Sequence, residues 1–338
     1  MKLTETKTWT AEEILALGRN YQGSAVLMAA TELDLFAALA PAPLDAEELA
    51  RYLQCDTRAL TVLLDALTAL RLLEKTGGHY ALPTGLEALL RSDGAQSVLA
   101  MCQHQANCLR RWAQLAKVVK TGQPAERTAS VRGEAGDLQS FIGAMDNISA
   151  PTASQIIQAV QPLTFQHLLD IGGASGTWTI AFLRACPTAK ATIFDLPEVI
   201  PMAQRRIAAA GLADRVQYAA GDFMQDRLPS GADLAWVSAI VHQNSRAQNR
   251  LLFGKTHQAL LPGGRIAIRD IVMEKSHVQP VAGALFAINM LVATEGGSTY
   301  TLAELAADLH SAGFAQTSLA RRDEAMNAVV AARKPVVS

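Results

Sequence analysis

The chain has 338 residues, long enough for two domains, and half of them are apolar with only 5% aromatic, a composition that suits a helix-rich globular enzyme. Its 30 Lys and Arg against 31 Asp and Glu leave a formal charge of -1, which offers no basic surface to nucleic acid or to an anionic membrane. Cys55, Cys102, Cys108 and Cys186 form neither a Cys-x-x-Cys pair nor a secreted disulfide pattern, so a reduced, cytoplasmic setting is expected.

The opening segment from Met1 to Lys7 is polar and lacks the apolar centre of a signal peptide, and no apolar stretch reaches the ~20 residues of a membrane span. Leu27, Ala30, Leu33 and Leu35-Phe36 then give a helical face. Asp45 opens a capped helix, and Asp56-Thr57 caps another running to about Leu73. Gly77-Gly78-His79-Tyr80-Ala81-Leu82 reads as a small wing. Helix, helix and wing match the pattern of DNA-binding modules. The charges do not: Asp45, Glu47, Glu48, Asp56, Asp65 and Glu74 face only Arg51, Arg58, Arg71 and Lys75 over residues 45–76, and phosphate binding needs a cluster of cations. Residues 121–136, rich in glycine, proline and charge, read as an irregular segment between the helical first half of the chain and its second half.

The most informative segment begins at His167. An apolar run ends in Asp170, glycines follow at 172, 173 and 176, and a helix-compatible stretch opens behind them, so a buried strand turns sharply into a helix N-terminus. Unpaired amides there favour polar or anionic ligand atoms. The G-x-G-x-x-G spacing of a dinucleotide fingerprint is absent; the pattern is acid-x-Gly-x-(Gly/Ala)-x-Gly, with Ala174 inside it. A second apolar run ends in Asp195-Leu196-Pro197, where proline stops the strand. A third, from Val216, ends in Gly221-Asp222-Phe223-Met224. Residues 232–241 read as a fourth strand running into His242-Gln243-Asn244. The turn Leu261-Pro262-Gly263-Gly264 leads into a fifth, Arg265 to Asp270, and residues 314–333 offer two more short strands. Apolar strands alternating with helical stretches imply βαβ units, a mostly parallel sheet of about seven strands, and a ligand crevice beyond the strands' carboxyl ends.

The glycine turn resembles the first motif of class I S-adenosylmethionine-dependent methyltransferases. From about residue 20 to 333 the chain resembles the dimeric small-molecule O-methyltransferases that group with plant caffeate and hydroxyindole methyltransferases, and it is closer to their bacterial branch. The resemblance implies a seven-stranded Rossmann-like core (residues 161–338), a helical region contributing to an acceptor pocket (96–160), and a winged-helix-like dimerisation domain (1–95) that buries surface against a second copy. S-adenosylmethionine is then the donor and S-adenosylhomocysteine the product. Asp170, Gly172, Gly173 and Gly176 supply the cofactor turn, while Asp195 accepts the ribose hydroxyls beside Leu196. Asp222 takes the adenine amino group, with Gly221 and Phe223 at the ring and Ser238 at the fourth strand's end.

Methyl transfer to a weakly acidic hydroxyl requires alignment, exclusion of water and removal of a proton. His242 matches the family's general base, since a neutral imidazole suits proton removal near neutrality, and Asp270 matches the carboxylate that orients it. The resemblance places acceptor contacts at Phe141 and Met145, at Phe286, Asn289 and Met290, and at His104, although such spacing alone reads as core.

Several positions depart from the plant pattern. Gln243-Asn244 stands for Asp-Trp after the histidine, Thr299 for a second glutamate, with Glu295 four residues earlier, and Ser238 for a lysine. This thinner acid/base set leaves room for carbon or sulfur acceptors and for a relative that binds the cofactor without transferring methyl. A ligand-sensing winged-helix regulator is a third reading. A Mg²⁺-dependent catechol-type mechanism is not expected, because Asp270 lacks acidic neighbours at the matching strand ends.

Overall fold

A computed structural model describes residues 7–94, 96–160, 164–173 and 175–336; Ala174 of the glycine turn and the opening Met1 to Thr6 lie outside them. The chain forms two compact units, one of Met1–Arg110 with Thr128–Asn147 and one of Arg111–Arg127 with Ile148–Ser338, so residues 96–160 divide between them. No described helix is long and apolar enough to cross a membrane.

The first unit is helical with one hairpin. Helices Tyr21–Glu32, Leu35–Leu39, Ala46–Leu53 and Thr57–Ala69 pack around Ala30, Leu35, Phe36, Leu49, Leu64 and Leu67. Asp45 and Glu48 close a reciprocal capping box, and Asp56 accepts from the Ala59 amide at 2.8 Å, so both expected caps form. The helix after Asp56 ends at Ala69 and not near Leu73. Arg71 turns left-handed (φ 61°), and the Leu72 amide reaches back to the Leu67 carbonyl at 2.9 Å, which terminates the helix in spite of the leucines beyond. The wing is β1 (Glu74–Thr76) and β2 (His79–Ala81), pinned by Asp65, which accepts from Tyr80 Oη at 2.8 Å and pairs with Lys75 at 2.6 Å. Helix Gly133–Ser149 begins inside the segment expected to be irregular, because the Asp137 carboxylate folds back onto the Ser130 amide at 3.0 Å and fixes its entry.

The second unit carries β3 (His167–Ile171), β4 (Lys190–Asp195), β5 (Val216–Ala220), β6 (Ala232–Ser238), β7 (Leu260–Asp270), β8 (Val272–Met273), β9 (Tyr300–Thr301), β10 (Ala315–Arg321) and β11 (Ala328–Arg333). The main sheet has the order β10-β11-β7-β6-β3-β4-β5, with β7, β6, β3, β4 and β5 parallel and the β10-β11 hairpin antiparallel on one edge. Every residue of β3 after its first is buried, as a central strand covered on both faces must be. One face packs Trp178, Phe182, Trp236, Ile193 and Ile207; the other packs Leu169, Phe194, Val237, Leu252 and Ile268.

Two strand limits differ from the sequence-based expectation. β6 stops at Ser238 because Ala239 adopts a left-handed conformation (φ 57°) and gives its amide to the Arg269 carbonyl, after which Val241–Gln243 form a 3-10 turn. β7 starts at Leu260, before the expected turn. Its register jumps from Ala232↔Leu260 to Leu234↔Arg265, so Leu261–Gly264 form an excursion within the strand.

Candidate active site

β3 lies between β6 and β4, where the connections reverse direction across the sheet, the place at which open parallel sheets bind ligands beyond the strands' carboxyl ends. Gly172 has φ +67°, and a Cβ on it would sit 2.7 Å from Ile240 Cδ1; Gly176 has φ +76° as the N-cap of helix Thr177–Ala185. Both positions favour glycine. The turn is tied to its neighbours by the Gly172 amide on the Phe194 carbonyl (2.8 Å) and the Gly176 amide on the Gly173 carbonyl (2.8 Å). Beneath it Asp170, 1% exposed, accepts from Thr179 Oγ1 at 2.7 Å. Burial pushes its carboxyl up to about 7, the Thr179 hydrogen bond opposes that rise, and the nearby Asp195 charge adds to it.

Asp195 ends β4 with Oδ1 on the Leu196 amide (2.8 Å), and its carbonyl takes the Gly221 amide (2.9 Å). Leu196 is exposed and Phe223 half-buried. Asp222 accepts from the Met224 amide at 2.8 Å. Three strand ends therefore meet at one edge, with two carboxylates and the glycine turn. This donor and acceptor set fits an adenosine: acids for the ribose hydroxyls and exocyclic amine, backbone amides for the remainder. Lys255, which the sequence did not single out, holds this edge by donating to the carbonyls of Phe223 (2.9 Å), Met224 (2.7 Å) and Asp226 (2.9 Å). A lysine on a helix gives no signal of such a role.

On the neighbouring strand ends, His242 Nδ1 lies 2.9 Å from both Asp270 oxygens, and both residues are buried. The Ile271 amide also donates to Asp270 Oδ1 at 2.8 Å. A carboxylate facing Nδ1 assigns the proton there and leaves the Nε2 lone pair free to accept. The turn carrying His242 is clamped: its carbonyl accepts from the Ser298 amide (2.9 Å), Asn249 donates to the Val241 carbonyl (2.9 Å), and Tyr300 donates to the Asn244 carbonyl. The Phe286 ring meets the imidazole edge-to-face at 4.8 Å between centroids.

The candidate acceptor residues fall into two groups. In the second unit, Phe286, Asn289 and Met290 share helix Val281–Ala293, and Asn289 Oδ1 accepts from Trp112 Nε1 at 2.9 Å. In the first unit, His104 and Phe141 have ring centroids 5.2 Å apart, and Met145 lies on the Phe141 helix. Gln103 is spent on structure, donating to the Thr31 carbonyl (2.9 Å) and accepting from Ser140 (3.0 Å). Thr299 is buried with its hydroxyl on the Gly283 carbonyl, and Glu295 is exposed. Among the described residues, the ligand-rich cluster is Asp45, Glu48 and His79 in the first unit, where both carboxylates serve the capping box.

A family model described as the O-methyltransferase domain matches residues 112–315, and one described as the O-methyltransferase dimerisation domain matches residues 16–84. The chain is 33% identical to the tetracenomycin polyketide synthesis 8-O-methyl transferase TcmO of Streptomyces glaucescens, over 89% of this chain and 91% of that protein. It is 34% identical to the 3-hydroxy-5-methyl-1-naphthoate 3-O-methyltransferase of Streptomyces sahachiroi, over 91% of each. Among solved structures, human N-acetylserotonin methyltransferase in complex with SAM superimposes with a TM-score of 0.80 at 26% identity, over 99% of this chain and 100% of that one.

Proposed function

The chain belongs to the O-methyltransferase family, and from that premise we propose that it moves the methyl group of S-adenosylmethionine to a hydroxyl of a small aromatic or polyketide-like molecule, with His242 as general base oriented by Asp270. The observation that carries this reading is the 2.9 Å contact of His242 Nδ1 with both Asp270 oxygens, at a strand end beside the glycine turn. The printed activities of the two Streptomyces relatives, on a polyketide and a naphthoate, support the acceptor class.

When bound, S-adenosylmethionine supplies an electrophilic sulfonium methyl for an in-line displacement. The chain's own residues do the rest. Asp195 and Asp222 hold the nucleoside, and Gly172, Gly173 and Gly176 let the backbone approach it; Leu196, Gly221 and Phe223 flank the base. Asp170 supports the turn from below. Asp270 keeps the His242 proton on Nδ1, so Nε2 takes the acceptor's hydroxyl proton as the new O–C bond forms. Phe286 packs on the imidazole and, with Met290 and Asn289, offers an apolar face with one polar handle to a flat acceptor. Phe141, Met145 and His104, from the helical region 96–160, are assigned to the acceptor by the family resemblance.

Residues 1–95 dimerise the chain, a reading supported by the dimerisation-domain match. The partner molecule is a small acceptor and not nucleic acid. Cys55, Cys102, Cys108 and Cys186 form no disulfide among the described residues, which supports a cytoplasmic setting. Thr299, which lacks a charge, favours acceptors that are themselves fairly acidic, such as phenols. Incubating the protein with S-adenosylmethionine and a panel of hydroxylated naphthoates and polyketide aromatics tests the proposal by product mass. A methyl ether is expected; transfer only to carbon or sulfur acceptors, or to none, rejects it.

A further inference from the structure

Arg269 is a charge for which the proton transfer at His242 has no use. It adjoins Asp270 on β7, but strand alternation sends the two side chains to opposite faces, Asp270 toward His242 and Arg269 toward Trp178. Only 1% of Arg269 is exposed. Its Nε and Nη2 donate to Asn327 Oδ1 (2.9 and 2.7 Å), its Nη1 donates to Ser238 Oγ (3.1 Å), and its Cζ lies 4.6 Å from the Trp178 ring centroid. All three partners are neutral. Among the described residues, no carboxylate comes within ion-pairing distance of it. Burial lowers it to about 10, so it remains a cation at neutral pH, with Asp270 and Asp323 offsetting it only from a distance. A buried cation without a contacting anion is costly and persists where something offsets the cost.

Its position shows what the charge faces. The register sets Phe194, Ile171, Val237 and Ile268 side by side, so the residues that follow them, Asp195, Gly172, Ser238 and Arg269, succeed one another across the strand ends. The crevice edge thus runs from a carboxylate on one side of the glycine turn to a hydroxyl backed by a guanidinium on the other. Arginine only donates, so Ser238 Oγ is the acceptor of that bond and its own hydrogen is turned elsewhere; no described residue accepts it. A ligand that places ribose hydroxyls on Asp195 and extends across the turn meets, at Ser238, a donor in a positive field.

We infer that Ser238 and Arg269 form a carboxylate-recognising subsite for the amino-acid end of the cofactor, Ser238 by donating its hydroxyl and Arg269 as the positioning residue that orients Ser238 and supplies the charge. The subsite rests on the reading of S-adenosylmethionine as the bound donor. Trp178 lies in the first turn of the helix behind the glycine turn, and its ring lies against the guanidinium. The guanidinium of the subsite is therefore packed by the same helix that follows the turn.

Calorimetric titration of the full chain with S-adenosylhomocysteine and with 5′-methylthioadenosine, which shares the nucleoside and thioether but lacks the amino-acid end, tests it. Arg269→Met is expected to weaken S-adenosylhomocysteine about tenfold or more, the scale of a lost charge-assisted contact, and to leave 5′-methylthioadenosine within about twofold. Ser238→Ala removes only an oxygen, keeps the buried arginine, and is expected to show the same selective loss to a smaller extent; it carries the test if Arg269→Met does not fold. Equal losses for both ligands, or no loss for either, overturn the inference. Failure of the wild-type protein to bind either ligand overturns the cofactor reading itself, a result distinct from both.

Discussion

His242 Nδ1 stands 2.9 Å from each oxygen of Asp270, a bifurcated contact between residues 28 positions apart in sequence and adjacent in space because β6 and β7 pair in parallel. The Ile271 amide on Asp270 Oδ1 and the backbone clamps around Val241–Gln243 hold both partners, so the imidazole presents Nε2 in one orientation.

Asp270→Asn tests that orientation. The amide can donate to Nδ1 and favour the other tautomer, which places a proton on Nε2 where a lone pair is needed. The expected result is a fall in kcat of about 10² to 10⁴-fold, the scale of a lost general base, with S-adenosylhomocysteine affinity unchanged by titration.

Asp170 sets a pH dependence of stability. Its folded-state carboxyl is raised to about 7, above its unfolded value, so between about pH 4 and 7 the folded chain keeps a proton that the unfolded chain has released, and stability falls as pH rises through that window. Asp170→Asn has no such titration. Urea midpoints of the two proteins should diverge in favour of the variant between pH 5 and pH 8; a constant difference over that range contradicts the buried, protonated carboxyl.

Lys255 fastens the loop after β5 through three carbonyls. Lys255→Met should free Phe223 to Asp226 and weaken S-adenosylhomocysteine and 5′-methylthioadenosine alike, by about tenfold, with kcat at saturating cofactor preserved. A selective loss of one ligand would contradict the assignment of this edge to the nucleoside.

Helix Ala11–Arg19 buries none of its residues within the chain, and Ile14, Leu15 and Leu17 are each about half exposed. A dimer gives that face a partner. Leu15→Glu with Leu17→Glu is expected to shift the protein from dimer to monomer in analytical ultracentrifugation; a wild-type monomer contradicts dimerisation outright.

The sequence made some of this visible for physical reasons. Apolar runs tipped by Asp170 and Asp195 are legible because a central parallel strand must be apolar throughout and can turn polar only at its end. Asp45 and Asp56 are legible because caps are local. The end of β6 at Ser238 was not, since Ala239 enters the left-handed region without a side chain that announces it. Nor was the end of the Asp56 helix, where Arg71 does the same. Lys255 and Asn327 act through partners 31 and 58 positions away, beyond any local pattern. Arg269 did leave a trace, a charge beside Asp270 at the close of the apolar run Ile266-Ala267-Ile268, which strand pairing turns into a buried cation.

The central claim is that His242 Nε2 takes the acceptor proton during methyl transfer. It is tested most directly by single-turnover methyl transfer to a hydroxylated naphthoate that proves to be a substrate, comparing wild type with His242→Gln at saturating S-adenosylmethionine across pH 6 to 9. The account predicts a rate about 10² to 10⁴-fold lower in the variant near neutral pH, with cofactor affinity intact and the gap narrowing as pH rises and the acceptor ionises without help. An undiminished rate in His242→Gln at neutral pH would contradict it.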